Sequence, residues 1–587
     1  MQPVVWPEPD PLIAAAITAK YRGARPRPLA VLIRDRLGQW LEDDQFAAAF
    51  GVRGRPGWSP SRLALVTVLQ RAENLTDRQA AEAVRTRIDW QYLLGLPFDD
   101  PGVDHSVLAE FRTRLVEAGL EQVALDALLA RLAADGLVSQ GGRQRSDSTS
   151  VHAAVAGLNR LELVGESVRA VLEALAVAHP AWLEQRICVA DFTRRYGLAM
   201  RSWRPPTSQA RRDELAVAYA RDGYQLLEAV YDPRAPAGLA GLPAVDILRQ
   251  VLLQNYTRTL TSSGREVITR REKAPDGDGL PPGHLRIASP YDTDARWAAK
   301  RDEFWLGYKL HITETCDDAG PCRCRRPDTP VKPAERVTSR HEPACPQPRP
   351  NLITHVATTT ATVTDNQMTA PIHDALAAKH LTPARHYADS GYLTPALVVC
   401  ELTRHSIALI GPLLADTSAQ ARAGAGYARA DFTIDYDMHT VTCPQGRQAA
   451  SWTPCIQYSK PAIVATFATT DCGPCPARTL CTTGKRRQLS LLPRELAEAQ
   501  STIRAAEHTT SFQTDYARRA GVEGTIHQSI AHGARRARYR GLPKTRLDHV
   551  YMACALNLLR LEAFWNGTPL DRRRTSHLTR LELGLAA

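Results

Sequence analysis

The sequence predicts an α/β protein built on a mixed β-sheet with flanking helices. A helical N-terminal domain precedes the sheet and insertions interrupt it. Three observations carry this. A short strand-like run from Arg143 ends in Asp147. Two runs rich in β-branched residues, 304–315 and 352–364, follow much later. Then come a helix at 371–379, a short strand at 384–388 ending in Asp389, an apolar strand at 406–410, and a helical region from 492 to 562 that carries Glu523. Strand with acid, two strands, helix, strand with acid, strand, and a helix with an acid is the layout of an RNase H-like core with insertions.

The chain has 587 residues, enough for several domains or large insertions. With 44% hydrophobic and 23% charged residues it is neither disordered nor collagen-like. The elements divide it as follows: 1–135 a helical N-terminal domain, 136–160 the first core strand, 161–285 a helical insertion, 286–415 the continued core with a Cys-rich insertion at 317–350, 416–490 a Cys-containing β insertion, 491–565 the C-terminal core helices, and 566–587 a basic tail. In the first unit Ser59-Pro60 supplies an N-cap and a proline at N1. Asn74-Leu75 breaks that helix, and Thr76-x-x-Gln79 is a capping box that opens the next, 78–87. The pair reads either as a helix-turn-helix that docks on DNA ends or as part of a plain helical bundle. In the insertion, Leu161, Val164, Val168, Val171 and Leu175 share one helix face, and helical sequence is expected to continue to about 270.

The acids hold the chemistry. Asp147 and Asp389 each end a strand, so parallel neighbouring strands would bring their carboxylates together, and a packed helix adds Glu523. Three carboxylates suit hard cations such as Mg²⁺, and two such ions clamp an in-line phosphoryl displacement. Tyr516, Arg519 and Glu523 stand at i, i+3 and i+7, on one helix face that His527 extends. An Arg one turn before a metal-binding Glu is placed to hold a phosphate.

These motifs resemble the DDE transposases of bacterial insertion sequences, in particular the "eleven-eighty-two" family of the insertion-sequence-four-like group. The resemblance rests on Asp104-His105-Ser106, Phe111-Arg112, Asp147-Ser148-Thr149, Leu158 to Leu163, Ser289 to Arg296, Gly307 to His311, Ala388 to Tyr392 and Tyr516 to Glu523. The last segment matches the group's Tyr-x2-Arg-x3-Glu signature. The group's Lys seven positions beyond the Glu is Ile530 here, with Arg535 and Arg536 the nearest substitutes. The resemblance implies that Asp147, Asp389 and Glu523 are a catalytic triad holding two Mg²⁺ (or Mn²⁺) ions, that the enzyme cleaves insertion-sequence ends and transfers strands into target DNA, and that it acts as a homo-oligomer on DNA. A non-catalytic DNA-binding regulator of transposition and an RNase H-like nuclease without strand transfer are the alternatives.

Net charge is +11, compatible with a polyanionic partner. Residues 511–550 hold eight basic and three acidic side chains. From this stripe Tyr516, Arg519, Arg535, Arg536 and Arg538, with Arg296 and Lys309 beside the second core strand, are the expected DNA contacts. Cys443, Cys472, Cys475 and Cys481 have the spacing C-x28-C-x2-C-x5-C. They read as a structural zinc site, with Cys455 an alternative ligand, or as reduced cysteines of a small β insertion. Cys316, Cys322, Cys324, His341 and Cys345 form a less regular second cluster. No G-x-x-x-x-G-K-[ST] nucleotide motif occurs, so no nucleotide cofactor is expected. With neither a secretory signal nor an apolar run of membrane-spanning length, the expectation is a cytoplasmic, nucleoid-associated protein with no membrane partner.

Overall fold

The computed structural model of the chain describes residues 6–23, 26–51, 57–202, 206–272, 279–300, 302–317 and 349–566. Helix α1 spans Pro60–Ala72, where Ser59 accepts a hydrogen bond from the Arg62 N–H and Pro60 takes the first position. Helix α2 spans Asp77–Thr86, with both halves of the Thr76/Gln79 capping box formed. Helix α1 is buried almost all round, so it is a core helix. The exposed side of α2 carries Arg78, Gln79, Glu82 and Arg85.

The sheet comprises β1 (Arg143–His152), β2 (Arg296–Lys300), β3 (Glu303–Thr315), β4 (Ile353–Thr360), β5 (Arg385–Tyr387) and β6 (Ala408–Ile410). Its order is β4-β3-β1-β5-β6, and β2 pairs with the first residues of β3. Strand β3 is antiparallel to β1, β2 and β4, whereas β5 runs parallel to β1 and β6 parallel to β5. Strand β1 does not stop at Asp147 as expected. Residues 148–152 continue it because they pair with Gly307 to His311 of β3. The parallel part ends two residues before Asp147, since β5 pairs only with Arg143 to Arg145.

Helix α3 (Asp365–Ala378) starts before the expected 371, because Thr364 and Gln367 form a capping box there, and Pro371 lies inside the helix. A helix at Pro395–His405, not anticipated, joins β5 to β6. The C-terminal region is helical but broken. Helix α4 (Gly521–Ser529) runs into a single π turn that Gly533 ends at φ +90°. The chain then adds to the end of β1, where the Ala537 N–H donates to His152 O at 2.7 Å, before α5 (Leu542–Trp565) begins.

One apolar core runs from Leu29 through α1 and the sheet to Leu561 of α5. The N-terminal helices therefore share their core with the sheet. Arg71 of α1 reaches Asp548 of α5 at 3.3 Å, both nearly buried, and donates to His532 O. The insertions have cores of their own. That of 161–285 is mostly helical but holds a hairpin, Tyr256–Leu260 with Glu266–Arg270, where helix was expected. Alternating β-branched and polar residues around a Gly264 turn favour strand there. The β insertion packs around Phe432, Val441, Phe467 and Leu489.

Candidate active site

The parallel register places the first two acids side by side. Arg145 pairs with Tyr387, so Asp147 and Asp389 each lie two residues beyond the same pair, on the same strand face. Each holds one oxygen on the backbone: Asp147 Oδ1 accepts from Ser148 N–H at 2.7 Å, and Asp389 Oδ1 from Gly391 N–H at 2.9 Å. Val522, Thr525 and Ser529 turn inward from α4, which leaves Glu523 on the open side.

The three carboxylates converge on one guanidinium. Arg519 Nη2 lies 2.7 Å from Asp147 Oδ2 and 4.0 Å from Asp389 Oδ2, and Arg519 Nη1 lies 2.9 Å from Glu523 Oε1. Burial raises the Asp147 carboxyl above its ordinary range, and the Asp389 charge adds to this, against the pull of Arg519 and Ser148. Burial opposes the Arg519 charge, but the surrounding anions, Asp147 foremost, hold its pKa up. Tyr516, half-buried, stacks on Phe512 with ring centroids 5.6 Å apart. Burial raises its phenol, and Asp389, Asp147 and Glu523 act in the same direction.

A second ring of side chains beneath these acids was missed by sequence reasoning. Asp365, in the first turn of α3, accepts from Ser148 Oγ at 2.9 Å and from Lys309 Nζ at 3.2 Å. Tyr392 is fully buried, and its hydroxyl lies 2.7 Å from His311 Nδ1. A Cβ on Gly391 would stand 3.0 Å from both Asp365 Oδ2 and Asp389 Oδ1, so a larger residue there would push on both carboxylates. Tyr392 was legible only as part of a motif, and Asp365 looks like any acid in a first helical turn.

The residues expected on DNA divide into two groups. Lys309 is committed to Asp365 and to Val363 O. Arg296 donates to His284 O, Thr293 O and Ala295 O. Arg538 donates to Leu75 O and Asn74 Oδ1 in the α1–α2 turn. All three cations are half-buried and already have partners within the protein. Arg535 and Arg536 are exposed. Arg535 rests on Ser150 Oγ at 2.7 Å and on Thr149 Oγ1, three and two positions beyond Asp147. Ile530 is half-buried, and His527 is exposed.

Cys443, Cys472, Cys475 and Cys481 line one small cavity in the β insertion, and Cys455 lies outside it. Burial raises the Cys481 thiol, and the other three cysteines add to the rise. Arg447 N–H donates to Cys443 Sγ. In the second cluster Cys316 is buried and its thiol is pushed up to about 12, chiefly by burial. Cys322, Cys324, His341 and Cys345 lie outside the described residues, as does the tail from 567. Among the described residues no group of three or more His, Cys, Asp and Glu side chains is arranged to hold a metal ion. The three acids meet around Arg519 instead. Their all-oxygen donor set fits a hard divalent cation. Also among the described residues, no helix is long and apolar enough to cross a membrane.

Two family models match. Residues 442–562 match a Transposase DDE domain, and residues 21–114 match a Transposase domain (DUF772). They support a DDE transposase of insertion sequences, which implies an RNase H-like fold, divalent-metal chemistry and DNA as partner. The first match contains Tyr516, Arg519 and Glu523 but neither aspartate. No curated protein and no solved structure matches the chain.

Proposed function

We propose that the protein cuts DNA at the ends of an insertion sequence and joins the freed 3′ ends to target DNA, with Asp147, Asp389 and Glu523 as catalytic carboxylates. The observation that carries this reading is their convergence, from two parallel strands and a separate helix, on Arg519. The Tyr516-x2-Arg519-x3-Glu523 spacing supports the insertion-sequence-four-like group, and the other motifs its eleven-eighty-two family.

Asp147, Asp389 and Glu523 would hold two Mg²⁺ or Mn²⁺ ions, which when bound supply Lewis-acid stabilisation of the attacking and leaving oxygens. The protein's own groups set the rest. Backbone N–H groups fix one oxygen of each aspartate, leaving Oδ2 of both on the open side. The planar Arg519 fork matches a phosphodiester bidentately. Arg535 and Arg536, exposed next to β1, give phosphate contacts without base readout. Asp365 and Tyr392 support Ser148 and the Gly391 turn from below. The four cysteines of the β insertion would take one structural Zn²⁺ by closing further than they stand here; the cavity they share and the N–H donated to Cys443 Sγ favour this, and thiolates suit Zn²⁺ over Mg²⁺.

The experiment is strand transfer with a pre-cut terminal duplex in Mg²⁺. Joined products are expected. Hydrolysis without joining would make the protein a nuclease, and end binding without either would make it a regulator.

A further inference from the structure

Behind the site, β1, β3, α4 and α5 meet in a buried ion cluster that the chemistry described above does not use. Glu314 of β3 is fully buried between two guanidiniums. Arg145 Nε and Nη2 lie 2.8 and 2.7 Å from its Oε1, and Arg560 Nη1 of α5 lies 2.8 Å from its Oε2. Thr525 Oγ1 of α4 donates to the same Oε2 at 2.6 Å. Arg145 also donates from Nη1 to Arg518 O at 2.7 Å, and a Cβ on Gly521 would stand only 2.0 Å from that Nη1.

We propose that Arg145, Glu314, Arg560 and Thr525 form a positioning clamp that sets where Arg519 and Glu523 stand relative to Asp147. The clamp touches the helical segment at 518, 521 and 525, and the two functional residues lie between those points. Helical spacing turns the clamped positions toward the sheet, while Arg519 and Glu523 face the acids. The anchor of the clamp is on the strand that carries Asp147, two residues away on the same face, about 6.6 Å along β1. The register Arg145↔Glu314 adds β3 to the same unit. Movement of α4 against β1 therefore changes the Glu523 to Asp147 separation directly. A buried ion triad is weak evidence for stability, since apolar replacements of such clusters are often neutral. Its consequence here is placement: two forked cations and a hydroxyl fix helix position in two directions, which an apolar contact does not.

The inference rests on the proposed transposase activity. Its test compares wild type with Thr525→Val, Thr525→Ser and Arg145→Lys in three measurements: terminal-duplex binding, Mn²⁺ affinity by electron paramagnetic resonance, and cleavage across a Mg²⁺ titration. Duplex binding is expected to stay within about twofold of wild type. Thr525→Val should weaken Mn²⁺ binding and lower cleavage turnover by roughly tenfold or more, because displacement of a reacting group by 1 Å can cost about 10²-fold. Thr525→Ser, which keeps the hydroxyl, should restore both. Arg145→Lys, which keeps the charge but loses the fork, should behave like Thr525→Val. Wild-type Mn²⁺ affinity and turnover in Thr525→Val and Arg145→Lys, with wild type itself active, would overturn the clamp alone. A wild-type protein that neither binds Mn²⁺ nor cuts would overturn the clamp together with the function it serves.

Discussion

Acid should loosen this protein well above the pH at which carboxylates titrate, because its core holds neutral imidazoles. His311 of β3 and His355 of β4 are buried on one face of the sheet, and His549 of α5 is buried against the other. Burial lowers their pKa values to about 4, about 3 and about 4. His355 Nδ1 and His549 Nε2 have no hydrogen-bond partner, whereas His549 Nδ1 lies 2.7 Å from Thr358 Oγ1. The folded pKa is depressed below the unfolded value near 6.5, so the unfolded chain binds more protons in between. Stability is then complete above about pH 6.5 and is lost as the pH falls toward 4. At pH 5 each imidazole contributes roughly 2 kcal/mol less than at pH 7, or about 5–6 kcal/mol for the three. That is a large part of the roughly 5–15 kcal/mol of a typical domain. Urea unfolding midpoints at pH 7, 6 and 5 should fall steadily, and His549→Gln should remove about one third of the fall. Midpoints that stay level from pH 7 to 5, or a His549→Gln protein with the full pH dependence, would refute the argument.

Further expectations follow from individual side chains. Arg71→Met leaves Asp548 buried and unpaired and should cost about 3–5 kcal/mol, seen as faster hydrogen exchange across 60–86; unchanged exchange would mean that α1 does not depend on α5. Arg535→Ala with Arg536→Ala should lower the log–log salt slope of DNA binding by about 0.9 for each phosphate no longer neutralised, and an unaltered slope would place both side chains away from DNA. The purified protein should carry about one zinc per chain, and Cys475→Ser should lose it and open residues 430–485 to proteolysis. Zinc-free protein with the same protease pattern would return these cysteines to ordinary packing.

Features with local causes were legible in the sequence. The Thr76/Gln79 capping box and the Ser59-Pro60 start depend on neighbours in the chain, and the Tyr516, Arg519, Glu523 face is helix geometry. The pairing of Asp147 with Asp389 was legible for a different reason: two acids with equal overhang on parallel strands must meet. Distant partners decided what was missed. Arg538 looks like any member of a basic stripe, yet its guanidinium closes on Asn74 and Leu75, more than 460 residues away. The partners of Lys309 and Arg296 within the fold were likewise not visible in the local pattern. The amphipathic pattern of the N-terminal helices does not say which surface they cover, and α5 supplies much of it. Strand β1 ran on past Asp147 because β3, far along the chain, supplied an antiparallel partner.

The central claim is that Asp147, Asp389 and Glu523 act as one catalytic centre. It is tested most directly by single-turnover cleavage of a labelled duplex carrying the element's terminal repeat, in Mg²⁺, by wild type and by Asp147→Ala, Asp389→Ala and Glu523→Ala, with end binding measured on the same preparations. Cleavage should be lost in all three variants while binding is retained, because each substitution removes a ligand to the ions and adds no repulsion toward DNA. Cutting at near wild-type rate by any one of the three would contradict the account.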